Sequence, residues 1–275
     1  MSNAAVAAIS VALYILLAPG VGGLLQGVDR KATARMQGRQ GPPLLQSFYD
    51  VGKLLGKETK YMNHIQIVCH VSFLIFVIFT GALFFGGGDL LLIFFALTTA
   101  NLCLILAATT CNSPYAAMGA NREMLQTMAY EPMVLLTAVG FYLATGSFKV
   151  SDIVRSSGLP PIVYLPGVFC GFLFILTIKL RKSPFDLSYS HHAHQEIVQG
   201  VATEMSGGTL AKMTLMHWCE TVLFLMWVGM FFVWDNPVSW VVALVVMAAT
   251  YFVEVLIDNT FARSCLLYTS DAADD

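Results

Sequence analysis

Seven stretches of this 275-residue chain are long and apolar enough to cross a bilayer, and few folds are open to a chain built that way. They run over residues 5–26, 64–86, 89–111, 128–147, 161–180, 214–234 and 237–259. A hydrocarbon core of about 30 Å takes roughly 20 apolar residues as helix, and every backbone polar group inside it must be satisfied within the segment. The sequence therefore predicts an all-α, polytopic integral membrane protein, a single membrane domain over residues 1–263. Only 12% of its residues are charged, against about a quarter in soluble domains. The fourth run is the weakest, because Pro132 sits near its start and Gly140 and Gly146 interrupt it. Residues 114–126 would add a short re-entrant or broken helix. No internal repeat is visible, which counts against transporter folds built from inverted repeats.

Orientation follows from the basic residues, which concentrate on the cytoplasmic side of membrane proteins. The loop 27–63 carries Arg30, Lys31, Arg35, Arg39, Lys53, Lys57 and Lys60. On the same side fall Arg122, Lys179, Arg181, Lys182, Lys212 and Arg263, leaving Lys149 and Arg155 for the other. The expected topology puts the N-terminus outside and both long loops in the cytoplasm of a multi-pass protein of the cell (inner) membrane. The first run lacks a basic leader, so no cleavable signal peptide is expected. A net charge of −2 gives no reason to expect nucleic acid as a partner. The six cysteines form no CxxC, which argues against an iron–sulfur cluster or structural zinc held by this chain.

In the first loop, Leu44, Leu45, Phe48, Val51, Leu54 and Leu55 recur at helical spacing after Pro42 and Pro43. This predicts an amphipathic helix lying at the membrane surface or under a partner. The loop between the fifth and sixth runs gathers Asp186, His191, His192, His194, Glu196 and Glu204. Ile197, Val198, Val201 and Met205 would form an apolar helical stripe there, with Glu196 and Glu204 on a neighbouring face. The histidines and Glu196 are crowded and lack the i,i+4 pairing of a helical metal site, so a proton-responsive or subunit-contact role is favoured over metal.

Five more carboxylates fall at or near membrane depth: Glu123, Glu131, Glu220, and the i,i+4 pair Glu254 and Asp258. Burying a carboxylate near hydrocarbon costs a few kcal/mol on lenient scales, so each is a candidate for ion or proton handling. The bland alternative is a helix-end acid reaching interfacial water. Lys179 reads as a snorkelling helix-end lysine, and His70, about two turns into the second run, as a buried histidine with its hydrogen bonds satisfied. No nucleotide-binding or hydrolase motif occurs, and no self-contained catalytic site is visible.

Three blocks, GRQGPPLLQSFYDVGKLLGKE (38–58), GANREMLQTMAYEP (119–132) and RKSPFDLSYSHHAHQEIVQGVATEMSG (181–207), resemble those of one family. It is the family of the respiratory complex I membrane subunit next to the quinone site and its counterparts in energy-converting nickel–iron hydrogenases. The resemblance runs from about residue 5 to Arg263. Arg39-Gln40-Gly41-Pro42-Pro43 departs from the RxGPN of the quinone-linked branch, and SHHAHQE after PFDL is more similar to the Ech-type (group 4) hydrogenase branch.

The resemblance implies seven to eight spans plus the surface helix, and no redox centre in this chain. Nickel–iron and iron–sulfur centres would belong to hydrogenase large and small subunits docked on the cytoplasmic loops. Ferredoxin would supply electrons indirectly, and an antiporter-like membrane subunit would be a further partner in the bilayer. Arg122, Gln126, Tyr130, Glu131, Asp186, Glu196 and Glu204 carry over as coupling or junction residues, and Arg39 and Lys53 as junction residues. Residues 264–275, SCLLYTSDAADD, depart from the basic and apolar tails of the family and read as not native. The competing readings are the quinone-linked branch and a stand-alone ion transporter.

Overall fold

A computed structural model describes residues 3–60, 63–156, 159–183, 185–189 and 199–260. His191, His192, His194, Glu196 and the tail after residue 260 lie outside them. The described residues form α-helices α1 (Asn3–Met36), α2 (Gln46–Leu55), α3 (His64–Phe85), α4 (Leu90–Thr109) and α5 (Pro114–Thr145). There follow α6 (Val150–Val154), α7 (Pro161–Tyr164), α8 (Pro166–Lys179), α9 (Gly208–Met230) and α10 (Val238–Thr260). Six of these, α1, α3, α4, α5, α9 and α10, are long and apolar enough to cross a membrane. The chain is an all-helical, multi-pass membrane protein.

The count falls below the expected seven to eight at one place. The run 161–180 is broken at Leu165, whose backbone leaves the helical region (φ −126°, ψ 42°) ahead of Pro166. A proline ring disfavours helix in the residue before it. The remainder of the run, α8, has 14 residues and rises about 21 Å, short of a full crossing. The region 114–147 departs in the other direction. It is one helix of 32 residues, entered through Pro114 in its first turn, continuous through Pro132, and closed by Gly146 with a left-handed φ of 77°. Pro132 removes a single ladder hydrogen bond, a loss that neighbouring helices make tolerable in a membrane. Likewise α1 continues ten residues beyond its apolar run, because KATARM contains no breaker before Gly38.

The C-terminal ends of α1, α8 and α10 meet at one side of the bundle, where Lys182 just after α8 contacts Asp29 and Asp258. At the opposite side, Leu90 N–H donates to the Phe148 carbonyl (2.9 Å) and Val150 N–H to the Gly88 carbonyl (2.9 Å), joining the start of α4 to α6. The core between them is aromatic: Phe141, Phe172, Phe224, Trp227 and Phe231 are fully buried. Large apolar side chains such as Leu16, Val68, Leu143 and Val241 stay exposed along the outer faces, as a bilayer requires.

Helix α2 is amphipathic, and its stripe is divided. Phe48 meets Trp218 of α9 edge-on (5.3 Å) and Val51 is buried, while Leu44, Leu45 and Leu55 remain exposed beside Tyr49. Arg30 of α1 holds the helix from its polar side through Asp50 (2.6 Å). That hydrogen bond is the main cause of a lowered Asp50 pKa. A depressed aspartate stabilises the fold above its unfolded pKa and loses that contribution as pH falls through the folded value. Acidification below the ordinary aspartate range should loosen α2 first, read as faster hydrogen exchange across residues 46–55. Both side chains are about two-fifths exposed (41% and 38%), so the pair is worth less than about 1 kcal/mol.

Candidate functional site

One stripe of α5 organises the loop after α8. Gly119, Arg122, Glu123, Gln126 and Tyr130 follow each other at helical spacing and share a face. Gln126 Nε2 donates to the Phe185 carbonyl (2.8 Å) and Arg122 Nη1 to the Leu187 carbonyl (3.4 Å). Ser188 Oγ donates to Glu123 Oε2. At the end of the stripe Gly119 lies against the 3-10 turn Gly200–Ala202, so close that a Cβ there would sit 2.5 Å from Val201 N. Gly119→Ala should overpack this contact and destabilise the purified protein by about 1–3 kcal/mol, measured by thermal unfolding in detergent. An unchanged midpoint would show that the turn is free to shift.

The loop begins on a strained residue. Arg181 N–H bonds the Ile178 carbonyl (3.1 Å) and Lys182 N–H the Thr177 carbonyl (3.1 Å), the paired pattern of a Schellman helix end. The left-handed position in that motif is normally glycine, yet here it is Arg181, at φ 52°. A β-carbon there costs about 1–2 kcal/mol, and a cost of this kind points to a functional constraint.

The constraint is visible in the side chains. Arg181 Nη2 pairs with Glu123 Oε1 (3.3 Å), and Nη1 lies 3.0 Å from His217 Nε2. His217 Nδ1 lies 2.9 Å from Glu220 Oε2. The guanidinium also stacks on the Tyr189 ring at 3.9 Å. Burial opposes the charge on Arg181, but Glu123, Tyr189 and Glu220 together outweigh it and hold the pKa above its ordinary value. Burial raises the Tyr189 hydroxyl. Nearby, the Lys179 ammonium sits over the rings of Tyr130 (4.7 Å) and Phe224 (5.6 Å), while Asn101 Nδ2 donates to the Tyr130 hydroxyl (2.9 Å). Lys179 is thus turned into the protein instead of snorkelling outward.

The neighbouring residue makes a second cluster. Lys182 Nζ contacts Asp29 Oδ2 of α1 (2.5 Å) and Asp258 Oδ2 of α10 (3.3 Å), and Ser183 N–H donates to Asp258 Oδ1 (2.9 Å). One turn earlier on α10, buried Glu254 accepts from Thr177 Oγ1 (3.2 Å). A cavity of ≈ 520 Å³ connects the two clusters, with Asp29, Lys179, Arg181, Lys182, Asp186, His217, Glu220 and Asp258 in its wall.

Of the carboxylates singled out in the sequence, Glu123, Glu220, Asp186 and Asp258 thus surround this space or its margin. Glu131 is half-buried on α5 and Glu204 half-buried beyond the 3-10 turn, both outside the cavity wall. The helix expected through Glu196 and Glu204 is absent after residue 198, because Gln199, Gly200 and Gly207 all have positive φ. Burial raises the Cys111 thiol, with the Glu204 charge adding to it. Arg39 and Lys53 are exposed at the surface, Arg39 bonding Gln37. Among the described residues no three His, Cys, Asp or Glu side chains converge as metal ligands.

Sequence reasoning missed Asp29, Arg181, Lys182 and His217 as site residues. His217 had a signal in its i,i+3 placement before Glu220, and Arg181-Lys182 in sitting directly before the acid-rich loop. Asp29 had none, lying past the apparent end of the first span.

The profile of the NADH dehydrogenase family matches residues 8–267. Formate hydrogenlyase subunit 4 of Escherichia coli K12 is 28% identical over 272 residues, covering 87% of this chain and 85% of that protein. Hydrogenase-4 component C of the same organism is 29% identical, covering 72% and 65%. A subunit of the NADH-quinone oxidoreductase of Dehalococcoides mccartyi CBDB1 is 27% identical, covering 82% and 70%. A chain in the structure of the membrane-bound sulfane sulfur reductase, an archaeal respiratory membrane complex, superposes with a TM-score of 0.81 over 94% of this chain and 91% of that one. At 24% identity it shows the shared fold. With the family profile matched over nearly its whole length, the chain belongs to the NADH dehydrogenase family, the family of the complex I membrane subunit next to the quinone site.

Proposed function

We propose that this protein is the membrane-anchor and coupling subunit of a ferredoxin-linked energy-converting hydrogenase. Its relatives are membrane subunits of oxidoreductase complexes, and those aligned over most of this chain include two hydrogenase components. In this reading the basic side of the bundle faces the cytoplasm and docks the large and small hydrogenase subunits, which hold the nickel–iron and iron–sulfur centres. An antiporter-like subunit adjoins it in the bilayer. Electron transfer in the docked subunits is linked to proton or sodium translocation, with this chain's buried acids as the proton-handling groups.

One observation carries the proposal. The loop that would meet the docked subunits supplies Arg181, and Arg181 is the shared partner of Glu123 and of the His217–Glu220 pair. A push on the loop moves that cation away from buried carboxylates, and a carboxylate losing its cation in a low-dielectric site takes up a proton. Glu131, Glu196 and Glu204 would extend the set, with His191, His192 and His194 at the docking surface.

The test uses the assembled complex in liposomes. Glu123→Gln should leave uncoupled, ferredoxin-driven hydrogen evolution intact and abolish the pH gradient, and an undiminished gradient would remove the coupling role. The alternative is the quinone-linked branch, which the match to the NADH-quinone oxidoreductase of Dehalococcoides mccartyi favours. Copurification of a nickel-bearing large subunit supports the hydrogenase. NADH-linked modules and inhibition by a quinone analogue would support the other branch.

A further inference from the structure

The buried seam of α3 is heptad-like: Gln66, His70, Phe73, Val77, Thr80 and Phe84 follow at three- and four-residue steps. Such a seam inside a membrane bundle is ordinarily apolar throughout. Here its first two positions are polar, and both are 2% exposed. The second, His70, has neither ring nitrogen hydrogen-bonded to protein among the described residues. The sequence led us to expect a satisfied histidine, and the structure corrects this.

A buried polar group without a partner costs on the order of 1–3 kcal/mol, and an internal water commonly meets that need where the site is polar. The surroundings of His70 run in one direction. On the outer side, α9 begins next to the residues that lead into α3, where Gly208 N–H donates to Thr59 Oγ1 (3.0 Å), and its exposed Lys212 comes five residues before His217. On the inner side is the Phe73 ring, centroid 6.3 Å away and fully buried. Across that ring lies His217, centroid 5.9 Å from Phe73. His217 in turn joins Arg181 and Glu220. Two imidazoles are therefore separated by one aromatic side chain, the outer one about two turns from the start of α3 and the inner one in the charged cluster.

We propose that His70 is a proton-carrying station on a hydrated route that starts beside Lys212 and reaches the His217–Glu220 pair around the ring of Phe73. A neutral imidazole accepts a proton at one ring nitrogen and releases one from the other, so each passage returns His70 to its starting charge after tautomer exchange. Phe73 sets the rate, because the water bridging the two imidazoles must fit past its edge. The inference rests on the coupling role proposed above, since it supplies protons to the same cluster.

The experiment uses the complete complex in proteoliposomes, with Glu123→Gln as reference. A normal gradient in Glu123→Gln would bring down the coupling reading itself. Where that variant is uncoupled, His70→Ala should slow gradient formation on the order of tenfold or more while uncoupled hydrogen evolution stays at the wild-type rate. Added imidazole, which fits the space vacated in His70→Ala, should restore the gradient, and His70→Gln should remain slow. Wild-type gradient formation in His70→Ala or His70→Gln, or no response to imidazole, overturns the route and leaves the coupling reading standing. If neither His70 variant assembles, Phe73→Trp carries the test. A slower gradient with unchanged hydrogen evolution supports the route, and an unchanged gradient refutes it.

Discussion

Replacing Arg181 by methionine should be the most damaging single substitution in the protein, lowering its stability in detergent by about 3–5 kcal/mol. Among the described residues the guanidinium is the one cation that touches both Glu123 and His217, and there methionine leaves Glu123 with the Ser188 hydroxyl alone as hydrogen-bond partner. Removing one member of a buried ion pair strands the other, which is worse than never having built the pair. Two companions separate this cause from lost packing. Adding Glu123→Gln to Arg181→Met should recover on the order of 1–3 kcal/mol, because the stranded charge is gone. Arg181→Gly should relieve the backbone strain of about 1–2 kcal/mol yet still leave the protein less stable than wild type. Tryptophan fluorescence during unfolding reports all three, since Trp218 and Trp227 are buried in the bundle. If Arg181→Gly proves more stable than wild type, the cluster is not held by this cation.

The second large effect is expected at Lys182→Met, at about 3 kcal/mol. It lies at the lower end of the range because Asp258 is a quarter exposed (25%) and keeps its bond from the Ser183 amide. The loss leaves Asp29 of α1 and Asp258 of α10 as like charges with nothing between them. Lys182→Met combined with Asp258→Asn should therefore be more stable than Lys182→Met alone. The opposite order would mean that the lysine stem, not its charge, fills the space.

Much of the fold was legible in the residues because its main determinant is one-dimensional. A run such as 237–259 can cross a bilayer only as a helix, and α10 falls within one residue of it. The errors share a cause. Pro132 and Pro166 have the same local preferences, but a proline within a long helix held by neighbours is absorbed, whereas Pro166 comes soon after Pro160 and Pro161 and ends the short helix before it. No sequence window contains that difference. The site divides in the same way. Glu123, Glu220 and Asp258 stood out because a carboxylate in or just beside an apolar run is conspicuous. Their cations did not, since Arg181 and Lys182 read as ordinary residues of a basic loop. Lys179 was misread because snorkelling assumes water beyond the helix end, and here α5 and α9 supply the rings of Tyr130 and Phe224 instead.

Arg181 and Lys182 are consecutive, and their side chains enter two different groups of acids. One peptide unit therefore carries both cations, so a displacement of that unit reaches the carboxylates of α5 and α9 and those of α1 and α10 together.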